Sequence, residues 1–204
     1  MTLCYLCGSP LIRGRNWTRD HIPPTCIFPR EKPRNLITVP CCLACNQQFK
    51  QLDQKMRNHI GVLAGDRSPE VAKTAEDDIL RSFKLSMEFL SQTKPHPALQ
   101  DDQGRPRALF FFNESELTEW IGRIVKGLVY HRTGRILPRD IPLRVKSLPE
   151  IVPQPSASFP MEDGLQFRPH FVYGEVRGQD TDTWILVFYD HLVFAATLPP
   201  DAAS

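Results

Sequence analysis

Two pairs of cysteines near the start of the chain have the spacing of metal ligands. The pairs are Cys4–Cys7 and Cys42–Cys45, each with two residues between its members, and 34 residues separate them. In such a turn both thiolates point at one metal ion, and two turns complete a tetrahedral zinc site. Gly8, directly after the first pair, suits a tight turn. We therefore predict a structural Zn²⁺ on these four thiolates, which leave no position for water.

Two more cysteines, Cys26 and Cys41, lie in the same segment. Cys41 adjoins Cys42 and could in principle replace it as a ligand, although the second pair would then have three residues between its members. The alternative is that both are small buried residues or idle thiols.

Between the two pairs lie side chains that suit phosphodiester hydrolysis. Asp20 and His21 are adjacent, and Asn46 follows the second pair directly. A neutral histidine beside a carboxylate is a suitable base, because its unperturbed pKa is about 6.5. Carboxylate and amide oxygens are hard ligands that suit Mg²⁺, and cations such as Arg19 and Lys50 can attract phosphate.

Each of these residues also has an ordinary structural interpretation. Asp20 could cap a turn, His21 could be a satisfied structural histidine, and Asn46 could cap the helix after the second cysteine pair. Asn35 could be a simple turn residue. A solvated helix face is the plainer interpretation of the charged residues further along, which are Asp53, Lys55 and Arg57. The second Asp-His dipeptide, Asp190–His191, is interpreted as a turn between strands.

The order of these elements resembles the zinc-stapled HNH endonucleases over residues 4–50. The matching run is C-x-x-C, Asp-His-x-x-Pro, Asn-Leu and C-x-x-C-Asn. The resemblance implies that His21 is the general base, that Asp20 and Asn46 bind a catalytic Mg²⁺ or Mn²⁺, and that Asn35 helps to orient the base. It also implies a ββα-metal module and a nucleic-acid substrate, with DNA favoured over RNA.

The chain departs from the family pattern at two places. Residues 25–29 replace a glycine-rich loop, and Phe49 stands where a lysine is usual, with Lys50 one step later. On a helix, one step turns a side chain by about 100°.

The charges suggest where nucleic acid would bind. Residues 1–62 carry nine Lys or Arg against three Asp or Glu, whereas the remainder carries sixteen against twenty. A second basic segment, 123–146, has seven basic residues and one acidic residue. The phosphate-binding candidates are Arg19, Lys50, Arg123 and Lys126. The alternative for both segments is a solvated surface.

The remainder of the chain predicts helices followed by strands. Ser68 and Pro69 can start a helix that runs to about Leu90, with an apolar stripe at Ala72, Ala75, Ile79, Phe83, Met87 and Leu90. Residues 94–107 are predicted to be a polar loop, and 109–112 a short buried segment.

A second helix is predicted from Asn113, which forms a capping-box pattern with Glu116, to Gly134. Its apolar stripe indicates a core helix. Residues 147–163 predict an extended connection, because they are rich in proline and serine. The last part predicts strands, with Phe167, Phe171 and Tyr173 on one face, then 184–189 and 191–197.

These patterns together predict an α+β protein with two parts. Residues 1–62 would be the zinc-stapled HNH module, and residues 66–204 a helical and antiparallel-β extension that binds DNA or a partner. We expect no membrane association, because no apolar run approaches the 20 or so residues of a membrane span. The absence of a signal sequence predicts a cytoplasmic protein, in which disulfides are not expected. The sequence leaves the oligomeric state open.

The sequence leaves two other functions open. One is a non-catalytic zinc module that binds nucleic acid or protein. The other is a nuclease effector of a bacterial defence or toxin system, silent until its extension is activated.

Overall fold

The computed structural model describes residues 1–28, 32–65, 69–81, 83–100, 104, 106–148, 170–178, 181–190 and 192–200. Over these residues the protein is a mixture of helices and antiparallel sheets. This agrees with the α+β class that the sequence predicts.

The N-terminal part consists of a strand pair followed by helices. Strand β1 (Trp17–Ile22) pairs antiparallel with β2 (Ile37–Cys42), and Asp20 lies opposite Val39. Burial alternates along both strands, so that one face of the pair packs inward. Cys42 ends β2 and caps helix α1 (Leu43–Gln48), and α2 (Lys50–Ala64) follows after Phe49.

The prediction of a single helix from 69 to about 90 is wrong, because the chain forms two helices there. Helix α3 (Pro69–Leu80) packs on α2, and α4 (Phe83–Ser91) begins after a turn at Arg81. The turn lets α4 bring Glu88 to Lys55. The buried stripe therefore ends at Ile79, while two predicted members, Met87 and Leu90, are 52% and 63% exposed.

The prediction of a polar loop over 94–107 is also wrong, because most of this segment forms an antiparallel hairpin. Strand β3 (Thr93–Gln100) pairs with β4 (Pro106–Phe110). In a two-stranded sheet each strand has a free edge, so prolines that lack an N–H are tolerated. Phe110 then packs against His59, 5.0 Å between ring centroids, while Phe111 is half exposed.

The predicted helix after Asn113 is confirmed at both ends. Helix α5 (Glu114–Thr133) begins where the Asn113 side chain accepts the Glu116 N–H at 3.2 Å. It ends at Gly134, which has a left-handed φ of 71°. Its apolar face is buried, as the stripe predicts. A Cβ at Gly127 would overlap the side chain of Ile22, so α5 lies directly against β1.

A four-stranded antiparallel sheet completes the described structure. Its strand order is β5-β8-β7-β6, where β5 is Arg144–Leu148, β6 Phe171–Arg177, β7 Asp182–Phe188 and β8 Leu192–Thr197. The strands predicted around 171–173, 184–189 and 191–197 are confirmed as β6, β7 and β8, which end or begin within one residue of the predicted bounds. The turn predicted at Asp190–His191 starts one residue earlier, at Tyr189, and both Tyr189 and Asp190 have a φ of 54°. The sequence did not predict β5. The first two residues of the predicted connection 147–163 belong to β5. The rest of that connection, together with Phe167 and His191, lies outside the described residues.

One continuous buried cluster links the N-terminal part to the extension. It includes Tyr5 and Ile22 from the first segment, Trp120 from α5, and Phe188 from the final sheet. The division at residues 62–66 remains a prediction. No helix among the described residues is long and apolar enough to cross a membrane.

Candidate metal centre and active site

The two cysteine pairs converge on one point. The sulfur atoms of Cys4, Cys7, Cys42 and Cys45 all lie within 4.8 Å of one another, and those of Cys7 and Cys42 are 3.8 Å apart. Tetrahedral zinc with Zn–S bonds of about 2.3 Å requires sulfurs about 3.8 Å apart. The group therefore has the chemistry and nearly the spacing to hold Zn²⁺.

Backbone hydrogen bonds hold both cysteine turns in shape. Gly8, at φ 70°, donates its N–H to the Cys4 carbonyl at 2.8 Å. The Cys45 N–H points at the Cys42 sulfur at 3.4 Å. The Tyr5 N–H donates to the Pro40 carbonyl at 3.1 Å and joins the first turn to β2.

The other two cysteines lie outside this group. Cys41 is fully buried, with its sulfur 4.0 Å from that of Cys4. Cys26 points its thiol at the Asp53 carbonyl, 3.5 Å away, and burial raises the pKa of this thiol to about 12. Cys26 therefore lies outside the close group of four sulfurs and points its thiol at a backbone carbonyl instead.

Three of the four predicted catalytic residues border a cavity of about 430 Å³. Asp20, His21 and Asn46 all line it, together with the predicted phosphate-binding residues Arg19 and Lys50. β1 contributes the first two, and α1 contributes Asn46. Elements that are distant in sequence thus bring the predicted chemistry to one surface.

Asn35 does not join the cavity. It lies in an exposed turn immediately before β2 and is absent from the cavity lining. Among the described residues, no hydrogen bond or ring contact joins Asn35 to His21.

His21 is suited to accept a proton. It is half buried, and this burial is the main cause that lowers the pKa of its imidazole. Arg19 and Lys32 lower it further, while the neighbouring Asp20 opposes the shift. The ring is therefore neutral at pH 7, as a general base must be.

Asn46 has one end of its amide fixed. Its nitrogen donates to the Thr18 hydroxyl at 3.2 Å, and that hydroxyl donates to the Cys41 carbonyl at 3.0 Å. The amide oxygen is the remaining polar atom of this side chain, and an amide oxygen is a hard metal ligand.

Asp20 is almost fully buried, with an exposed fraction of 3%. Its Oδ1 accepts from Arg123 Nη2 at 2.5 Å. Its Oδ2 accepts from Arg123 Nε at 3.0 Å and from the Tyr5 hydroxyl at 2.6 Å. A carboxylate has about four acceptor positions, so one position on Oδ1 is left for a metal ion.

Arg123 bridges two carboxylates. While one side of its guanidinium binds Asp20, Nη1 donates to both Asp53 oxygens at 2.5 and 2.6 Å. The Trp120 indole N–H adds a bond to Asp53 at 3.0 Å, and the guanidinium lies 4.7 Å from the Phe49 ring. Burial opposes the charge on Arg123, but Asp20, Tyr5 and Asp53 outweigh it and raise the pKa of the guanidinium.

The prediction that Arg123 and Lys126 bind phosphate stays a prediction, although the structure gives both side chains partners within the protein. Both lie on the buried face of α5, where Arg123 is 3% and Lys126 9% exposed. Lys126 donates to the Arg139 carbonyl at 2.7 Å. Arg123 lies three positions after Trp120, inside the apolar stripe of α5. A charged residue at such a position is the sequence signal that could have indicated that Arg123 is buried.

The interpretation of Asp53, Lys55 and Arg57 as a solvated helix face is wrong. Asp53 pairs with Arg123, and Lys55 pairs with Glu116 at 2.8 Å. Arg57 pairs with Asp78. Each of these α2 side chains therefore fastens α2 to another helix.

The oxygens of Asp20 and Asn46 fit a Mg²⁺-type ion, because they are hard ligands beside an open cavity that can supply water or substrate oxygens. Among the described residues, the four cysteines are the only close group of three or more His, Cys, Asp or Glu ligands. A catalytic ion would therefore have few protein ligands.

Comparison with known protein families gives a match in the N-terminal part of the chain. Residues 4–61 match the family model described as HNH endonuclease. No curated protein and no solved structure matches the chain significantly. The family implies nuclease activity and a nucleic-acid substrate. Residues 4–61, which match the HNH endonuclease family model, include the four-cysteine group and the cavity-lining Asp20, His21 and Asn46.

Proposed function

We propose that the protein is a metal-dependent endonuclease that hydrolyses DNA phosphodiester bonds at the 430 Å³ cavity. The observation that carries the proposal is the meeting of His21, Asp20 and Asn46 at this one surface, beside the cysteine group. β1, β2 and α1 follow one another in the order expected of a ββα-metal module.

His21 takes the proton from the attacking water. Its lowered pKa keeps the ring unprotonated at neutral pH, so it can act without prior loss of a proton. Arg19 and Lys50, both exposed at the rim, attract the DNA backbone and hold a phosphate near the imidazole.

Asp20 and Asn46 hold a Mg²⁺ or Mn²⁺ ion through one carboxylate and one amide oxygen. When bound, this ion stabilises negative charge on the phosphate and the leaving oxygen. The zinc on the four cysteines fixes the first turn and the start of α1, and thereby the positions of β1 and Asn46.

The test is a cleavage assay with zinc-loaded protein, plasmid DNA and Mg²⁺ or Mn²⁺, with EDTA and an RNA substrate as further arms. His21→Ala should lose about 10²- to 10⁴-fold in rate, the usual contribution of a general base. His131→Ala is the matched control, because His131 is an exposed histidine on α5, and it should cleave like wild type.

Two results would contradict the proposal. Equal cleavage by His21→Ala and wild type would remove His21 as the base. DNA binding that is independent of Mg²⁺, with no nicking under any metal, would indicate a non-catalytic zinc module instead.

A further inference from the structure

We propose that Arg123 is a positioning residue that holds Asp20 in place and competes with the divalent ion for its carboxylate, so that the ion is bound weakly. This inference rests on the proposed function, because it concerns the same ion site. Arg123 lies on α5, outside the segment that matches the family.

The competition follows from the hydrogen bonds of Asp20. Three of its four acceptor positions are taken, two by Arg123 and one by Tyr5. A divalent ion on the last position would lie close to the positive guanidinium, and like charges at short range oppose each other.

Arg123 is itself held too firmly to move aside easily. Its other nitrogen is bound by both oxygens of Asp53, and Trp120 in turn fixes Asp53. Phe49 supports the guanidinium face at 4.7 Å. Phe49 occupies the position where the family resemblance would place a lysine, so the departure at this position creates the support for Arg123.

The group carries a net charge of −1, because two carboxylates share one guanidinium. This allows a substitution that frees Asp20 and keeps the net charge. The double variant Arg123→Gln/Asp53→Asn removes one positive and one negative charge together. The amide oxygen that this variant has at position 53 can still accept the Trp120 N–H, so that the fold keeps this bond.

The experiment measures Mn²⁺ binding by electron paramagnetic resonance, without DNA, on the full chain with its cysteine site saturated with zinc. The double variant should bind Mn²⁺ at least tenfold tighter than wild type, which is about 1.4 kcal/mol. Asp53→Asn alone keeps Arg123 on Asp20 and should bind no tighter than wild type. Arg132→Gln, the same change elsewhere on α5, should leave Mn²⁺ affinity unchanged.

A second variant covers the case in which the double variant does not fold. Arg123→Lys keeps the charge but loses the planar fork that spans two carboxylates. This variant should free one of the two acceptor positions that Arg123 occupies on the Asp20 carboxylate. It should therefore bind Mn²⁺ more tightly than wild type. At saturating Mn²⁺ the folded variants should cleave DNA more slowly, because Asp20 is no longer held in one position.

The outcomes separate this inference from the proposed function. If Asp20→Asn abolishes Mn²⁺ binding but every folded Arg123 variant binds like wild type, Arg123 does not compete and the inference is overturned. If neither Asp20→Asn nor Asn46→Ala changes Mn²⁺ binding and wild type cuts no DNA, the proposed function fails and the inference fails with it.

Discussion

The buried charges around Arg123 lead to a quantitative prediction about stability. Arg123→Leu would leave the carboxylates of Asp20 and Asp53 without a counter-charge, and the Asp53 side chain is only 14% exposed. A buried carboxylate that loses its charged partner keeps a desolvation penalty of several kcal/mol with nothing to offset it. Water entry relieves part of this cost. We therefore expect a loss of about 3–5 kcal/mol, the usual cost of breaking a buried ion pair from one side.

The assay is urea denaturation at fixed free zinc, because an unbuffered metal would make the transition depend on zinc concentration. Arg132→Leu is the control on the same helix. Arg132 pairs with Glu175 at 2.8 Å, but its side chain is 34% exposed, so it should cost about 1 kcal/mol or less. The triple variant Asp20→Asn/Asp53→Asn/Arg123→Leu should recover most of the loss, because these three positions then carry no buried charge.

A loss below about 1 kcal/mol for Arg123→Leu would refute this reasoning, since that is the range of exposed pairs. So would a triple variant that is no more stable than the single one. That result would place the cost in lost packing of the long arginine stem instead of in its charge.

Three further predictions concern the zinc site, a buried histidine and the contact between α5 and β1. Cys45→Ser should lose bound zinc by elemental analysis and melt at a lower temperature, whereas Cys26→Ser, outside the ligand group, should keep its zinc. His59 is 2% exposed, and burial lowers the pKa of its imidazole to about 4, so stability falls as pH drops below the unfolded value of about 6.5. Between pH 7.5 and 5.5 wild type should lose about 1.3 kcal/mol more than His59→Leu in urea titrations, and equal losses would contradict this. Gly127→Ala should destabilise by about 1–3 kcal/mol because its Cβ would overlap Ile22, whereas Gly122→Ala, whose Cβ would lie 3.5 Å from Leu143, should be neutral or stabilising.

The close group of four cysteines and the capped helix could be predicted because their signals are local. A C-x-x-C turn determines where its own thiolates point, and the pair Asn113 and Glu116 marks a helix start within four residues. The alternating apolar residues of the final strands likewise indicate a half-buried sheet without knowledge of the partner strand. In each case a short stretch of chain contains the information that decides its structure.

The partners of the buried charges could not be predicted in this way. Arg123 stands in a basic segment that resembles a solvated surface, and its partner Asp20 is 103 positions away. Composition cannot distinguish a paired arginine from an exposed one, because the distinction depends on tertiary contacts. The break between α3 and α4 has the same origin, since the interaction of Glu88 with Lys55 helps to set the direction of α4.

The contacts between α5 and β1 make the extension part of the structure that positions the candidate site. β1 contains Asp20 and His21, and α5 touches β1 through Arg123 at Asp20 and through Gly127 at Ile22. The carboxylate proposed to bind the ion is thus fixed by a helix that the family segment does not contain. Any movement of α5 along or away from β1 would shift the guanidinium and change the acceptor positions that Asp20 offers.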